Sequence, residues 1–177
     1  RWYDMDSMVY ISGLSEMEAI MGDDEKLAGD IAHAAKELKP AFIAIAGTPI
    51  PAMTGFDFEA VAGLVEQRTG IPCFGFPTTG MNTYVHGASM AFAGIAERFA
   101  AGMAADSPQT SHPGSKVNIL GLTPLDFSVN GQDRSISEWL ESEGFTVVSK
   151  WAMGSSLEEI SRAGEADVNL VVSAAGL

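Results

Sequence analysis

Six uncharged residues in a row, Phe42 to Gly47 (FIAIAG), followed at once by TPIPAMTGFDFE, constrain this chain more than any other stretch. A run with no charge on either alternating face reads as a strand covered on both sides, the pattern of a parallel sheet between helices. Gly47 ends the strand. Pro49 and Pro51 lack the N–H groups that a sheet ladder or a helix interior needs, so a stiff, non-helical turn is expected over them. Gly55 can take a turn conformation closed to other residues, and Asp57 is placed to cap a helix starting at Phe58. Strand, turn and capped helix make half of a βαβ unit, and in open α/β sheets ligands sit in the loops at the carboxyl ends of strands. That loop has two readings: its Pro and Gly serve turn geometry alone, or the helix N-terminus holds an anion. Asp57 weighs against the second, because its charge already occupies that end. A phosphate-binding P-loop is excluded, since the lysine and hydroxyl of G-x-x-x-x-G-K-[ST] are missing.

The same alternation runs along the chain. Ser7 to Gly13 reads as a first strand, followed by an acidic, Met-rich connection, LSEMEAIMGDD. Asp23 caps a helix whose buried stripe is Leu27, Ile31, Ala34, Ala35 and Leu38, stopped by Pro40. The helix from Phe58 to Arg68 lays Phe58, Val61, Ala62 and Val65 along one face, and Thr69-Gly70 closes it. Ile71 to Phe76 is a short strand ended by Pro77, and Thr78-Thr79-Gly80 forms a second polar turn at a strand's carboxyl end. Gly87 to Met103 is a helix of small residues. Ala104 to Ser115, AADSPQTSHPGS, is polar and aperiodic and reads as a linker. Beyond it come a strand (Lys116 to Leu122), a long turn (TPLDFSVNGQD) and a helix (Arg134 to Glu143). A strand (Thr146 to Trp151), a short helix (Ser156 to Arg162) and a last strand (Val168 to Ser173) follow, with Trp139 and Trp151 as core anchors. This order predicts an α/β fold: parallel β-sheets in Rossmann-like, doubly wound layers, α/β/α, with right-handed crossovers. Residues 1–103 are expected to form one Rossmann-like domain, 104–115 a linker, and 116–177 the start of a second, truncated at its C-terminus. Both ends look cut from a longer polypeptide, since the chain opens at Arg1 and stops just after an apolar run.

Ten basic against 23 acidic side chains give a net charge of −13. Phosphate backbones are bound by clustered Lys and Arg, so nucleic acid is not an expected partner. No apolar run approaches the length of a membrane span, and one Cys suits a reducing cytoplasm.

Few residues invite chemistry. Cys73 follows Pro72 inside a strand, where a free Cys behaves as a small buried hydrophobe; no basic neighbour or helix start activates it. His33, His86 and His112 lack metal-pair spacing. Only His86 stands near a ligand-binding edge, where it reads first as an ordinary helix-start residue and second as a catalytic one. The candidate cleft residues at the strand ends are therefore Thr48, Pro49, Gly55, Thr78, Thr79, Gly80 and His86, with no catalytic residue and no metal ligand assigned.

GTPIPAMTGFDFEAV resembles the signature of nitrogenase component 1 subunits and their relatives, among them cofactor-assembly scaffold subunits and protochlorophyllide reductases. The stretch from Val117 to Gly176 resembles the following segment of the same family. In that family a cluster cysteine stands six residues before the glycine, and a second cysteine, at the end of a later strand, holds the active-site cofactor. The resemblance puts Pro49 and Ser173 at those two positions, where neither replaces a thiolate readily. It implies Rossmann-like domains within a longer, nitrogenase-like oxidoreductase subunit. That subunit would take part in electron transfer through iron–sulfur centres held elsewhere in the full-length complex, with a homologous subunit and an ATP-dependent iron–sulfur reductase as partners. The alternative is a non-catalytic cofactor-binding or assembly scaffold that has lost its cluster ligands. On either reading this chain carries no cofactor of its own and would supply part of a cofactor-binding cleft, at the strand-end residues named above, rather than cluster ligands.

Overall fold

The computed structural model describes residues 8–13, 17, 23–100, 114–128 and 130–177. By its contacts the chain divides into two units, Arg1–Thr83 and Tyr84–Leu177. The helix expected to close the first domain thus begins at Tyr84 and belongs to the second unit. Of the expected linker, residues 104–113 lie outside the described residues, as do Ser7, His112 and most of the acidic connection.

The first unit orders α1 (Asp24–Leu38), β1 (Ile43–Ala46), α2 (Pro49–Thr54), α3 (Phe58–Thr69) and β2 (Cys73–Phe76). Asp23 caps α1 by accepting the Lys26 N–H at 3.0 Å, with Asp24 and Glu25 in the positive first turn. Lys39 ends it in a left-handed conformation. Its buried side is Leu27, Ala28 and Ala35, while Leu38 is exposed. The turn over the prolines is in fact a helix. Pro49 stands at its first position and Pro51 two residues on, both among the initial N–H positions that have no intrahelical partner anyway. Gly55 closes α2 at φ +75°. Asp57 then caps α3, accepting the Ala60 N–H at 2.9 Å.

β1 and β2 pair in parallel, Ile43 opposite Cys73 through Ala46 opposite Phe76. Ile43, Ile45 and Cys73 pack on a core of Leu27, Ala28, Val61 and Val65 from α1 and α3. Residues 8–13 form no strand, contrary to the sequence reading; Val9 and Ile11 are each 90% exposed. Alternation alone makes no strand when no neighbour supplies the ladder bonds.

The second unit orders α4 (Tyr84–Ile95, continued by a wider π-helical turn, Ala96–Ala100), β3 (Lys116–Leu122), α5 (Pro124–Phe127), α6 (Gln132–Ser142), β4 (Thr146–Ala152), α7 (Leu157–Ser161) and β5 (Val168–Val171). Its sheet is parallel throughout, in the order β4-β3-β5. One face buries Val117, Ile119 and Leu122 with Leu140 of α6 and Met153. The other carries Trp151, which meets Phe92 of α4 edge to face. Helices on both faces give the α/β/α layering. Across the sheet Asn118, buried on β3, accepts the Ser149 hydroxyl of β4 at 2.7 Å. Its amide donates to Asn169 of β5 at 2.8 Å and to the Ala163 carbonyl. Trp151 Nε1 donates to Ser149 Oγ, so the indole is a core anchor as expected. Trp139 is not: it lies on the outer side of α6, 59% exposed.

Candidate functional site

Five of the seven expected cleft residues gather at the carboxyl edge of β1 and β2. Thr48 precedes α2 in extended backbone, exposed, with no capping bond from its side chain. Pro49 follows and lies against Gly80, where an added Cβ would sit 3.4 Å from the proline ring. Thr78 donates its hydroxyl to the Gly47 carbonyl at 2.9 Å, tying the two post-strand loops together. Thr79 Oγ1 accepts the Met81 N–H at 3.1 Å. Gly55 sits at the far end of α2, and His86 is exposed in the first turn of α4, in the other unit. This edge therefore offers hydroxyls and close-packed backbone but no nucleophile with an adjacent base.

A second polar edge, absent from the sequence-based set, forms where β3 and β5 end. Thr123 caps α5, and its hydroxyl donates to Asp126 Oδ2 at 2.9 Å. The Tyr84 hydroxyl donates to Asp126 Oδ1. These bonds, Tyr84's first, hold the Asp126 carboxyl below the usual carboxylate range, and the same contact pushes the Tyr84 phenol up. Ser173 donates to the Gly121 carbonyl at 2.7 Å and accepts the Ala175 N–H at 3.3 Å. Gly121 stands at φ +91° with Ser173 directly above it; a Cβ there would lie 2.6 Å from Ser173 Oγ and 3.0 Å from the Gly176 nitrogen. The signal for this edge was present in the sequence, because T-x-x-D directly after an apolar strand is a capping pattern. What it did not reveal is that Tyr84, 42 positions away, reaches the same carboxylate.

An iron–sulfur cluster does not fit the donors these residues offer. Cys73, the chain's one cysteine, is half-buried in β2, and its thiol is pushed up to about 11 by burial and by the charge of Glu66. The carboxylate of Glu66 also accepts the Cys73 N–H. Among the described residues no three His, Cys, Asp or Glu side chains converge as a metal site. Nor is any described helix long and apolar enough to cross a membrane.

The family model described as nitrogenase component 1 type oxidoreductase matches residues 3–176. Among curated relatives, the nitrogenase iron-molybdenum cofactor biosynthesis protein NifE of Methanosarcina barkeri is 27% identical over 170 residues, covering 92% of this chain and 35% of that protein. The NifE of Clostridium pasteurianum is 26% identical over 168 residues, 95% of this chain and 35% of its own length. Among solved structures, one described as nitrogenase Cp1 at pH 5 superposes with a TM-score of 0.76 at 22% identity, over 96% of this chain and 33% of that one. The chain thus spans about a third of the length of the relatives it matches. With a family match over nearly every residue and parallel α/β layers that agree with it, this chain belongs to the nitrogenase component 1 type oxidoreductases.

Proposed function

We propose that the chain is part of a longer nitrogenase-like subunit that works as a cofactor-binding or assembly scaffold and donates no thiolate to a metal cluster. The observation that carries this reading is the chemistry at the two strand ends where the family resemblance puts cysteines. Pro49 has no donor atom and begins a helix. Ser173 spends its hydroxyl on the Gly121 carbonyl and on the cap of the last turn. A neutral hydroxyl already committed in this way is a poor ligand for iron. The names of the NifE relatives, cofactor biosynthesis proteins, agree with it. Recognition would then rest on shape at the edge of Thr48, Thr78, Thr79 and Gly80, whose hydroxyls at Thr78 and Thr79 are already bonded within the protein, and on hydrogen bonds at the edge of Tyr84, Thr123 and Asp126.

The family's description as oxidoreductases favours a second reading, electron transfer through iron–sulfur centres held elsewhere in the full-length complex. In that reading a homologous subunit and an ATP-dependent iron–sulfur reductase are the partners. One experiment separates the two: anaerobic purification of the full-length complex, iron and sulfide analysis, then mixing with a reductase of this type and ATP. The scaffold reading expects no ATP-dependent reduction of the complex or of an added dye. Sustained ATP-dependent turnover would establish electron transfer instead.

A further inference from the structure

The sheet of the second unit runs β4-β3-β5, so the chain leaves β3 to one side and returns on the other. In open α/β sheets such a reversal opens a crevice outside the carboxyl ends of the two strands, here β3 and β5, where ligands bind. The floor of this crevice is closed. The turn after β5 lies directly on the end of β3, where a Cβ on Gly176 would come within 2.6 Å of the Leu120 carbonyl carbon and 2.8 Å of the Gly121 nitrogen. Ser173 fills the space above Gly121 and donates to its carbonyl. What the crevice presents outward is its rim, Tyr84 and the Asp126 carboxylate, both exposed. Asp126 is held ionised by hydroxyls alone, Tyr84's first, then those of Thr123 and Ser173, and no basic side chain is among its partners. Among the described residues no ion pair includes it.

We infer that this rim binds a ligand through a cationic group with N–H donors, an ammonium, amidinium or guanidinium, and that Asp126 is the residue that selects it. The inference rests on the scaffold reading and names the class of molecule its second edge would take. A carboxylate offers about four acceptor positions. Tyr84 bonds to Oδ1 and Thr123 to Oδ2, so each oxygen keeps room for a donor from outside. An aromatic ring beside an ionised carboxylate suits a cation in two ways. The ring face attracts the charge, and the carboxylate takes the N–H donors in short, charge-assisted bonds. Leu125, 64% exposed and next to Asp126, adds apolar surface for the carbon frame behind the charge. An anionic ligand meets an uncompensated negative charge here and is rejected.

The probes are benzamidine and benzoate, a planar cation and a planar anion of similar size, titrated into the full-length protein and followed by saturation-transfer NMR. Benzamidine is expected to bind with a Kd on the order of 1 mM, as suits one charge-assisted contact beside a ring, and benzoate not to saturate. Asp126→Asn keeps the shape and an acceptor for Thr123 but removes the charge, and should weaken benzamidine about tenfold. Tyr84→Leu removes the ring and should weaken it about threefold. Glu138→Gln, which neutralises an exposed carboxylate beside the exposed Trp139 of α6, should leave it unchanged. No saturable benzamidine binding, equal binding of benzoate, or an equal loss from Glu138→Gln would overturn the inference. ATP-dependent turnover together with Asp126-dependent benzamidine binding would refute the scaffold reading and leave the cation site; no turnover and no such binding would do the reverse.

Discussion

Gly75→Ala isolates the contact on which the first unit depends. Gly75 lies in β2 opposite Ile45, beneath the start of α3. A Cβ there would overlap the carbonyl of Phe58 and lie 2.7 Å from the nitrogen of Glu59, where ordinary contact begins at 3.4 Å. Both obstacles are backbone, in the turn that Asp57 caps, so no rotamer change relieves them. The helix must lift from the strand, loosening Val61 and Val65, which are 1% and 0% exposed. Overpacking a core costs about 1–3 kcal/mol, and a clash with immovable backbone belongs at the upper end. Alanine's advantage over glycine within a strand returns roughly 0.5–1 kcal/mol. The net loss is then about 2 kcal/mol, or a fall in melting temperature of about 8–16 °C for a unit of this size. Urea denaturation followed by circular dichroism measures it, with Gly55→Ala as the internal standard. Gly55 also has a positive φ, +75°, but nothing lies within 4 Å of an added Cβ. That variant should lose only the left-handed strain, about 1 kcal/mol. If Gly75→Ala cost no more than Gly55→Ala, the close approach of α3 to β2 would be wrong.

Three further outcomes are expected. With its thiol pushed up to about 11 from 9.0, Cys73 should hold about 100-fold less thiolate near neutral pH than an unshifted cysteine, so a disulfide reagent should label it slowly until urea unfolds the chain. Bonds from Arg162 and then Lys116 hold the Glu165 carboxyl at about 2 against an ordinary 4.5. Their stabilising contribution is therefore complete above pH 4.5 and lost as pH falls toward 2, and Glu165→Gln should flatten that stretch of the stability–pH curve. Asn118→Val would strand the buried Ser149 hydroxyl, while the Ala163 carbonyl keeps the Ala166 N–H, costing about 1–3 kcal/mol in urea midpoint analysis; no measurable loss would mean that water replaces the amide.

What the sequence disclosed of the fold follows from the range over which each signal acts. The stripe Phe58, Val61, Ala62 and Val65 was readable because one helix face repeats locally, and all four are buried. The Asp23 and Asp57 caps act over three residues and stand as read. Pro49 and Pro51 misled because a helix interior forbids proline while its first turn accepts it, and the boundary was not visible in advance. Trp139 misled because size argues for burial only when the facing surface is apolar. On α6, Ser135 and Ser142, four before and three after it, bond to backbone on the open side. That α4 groups with the second unit depends on Phe92 meeting Trp151 and on Ser89 donating to the Ala175 carbonyl, partners 59 and 86 positions apart. No local pattern encodes such pairings.

The two carboxyl edges differ in a way that bears on the scaffold proposal. At the first, polar capacity is mostly spent inside the protein: Thr78 on Gly47, Thr79 on Met81, and the backbone of Gly80 against Pro49. What remains outward is Thr48 and an apolar rim, which suits packing against another surface more than gripping a polar molecule. At the second, Asp126 is held ionised by donors from Tyr84 and Thr123, and both Tyr84 and Asp126 stay open to solvent. A carboxylate has about four acceptor positions, so two donors leave room for more. Any directional hydrogen bonding to a cofactor by this chain would therefore come from the Tyr84–Asp126 edge.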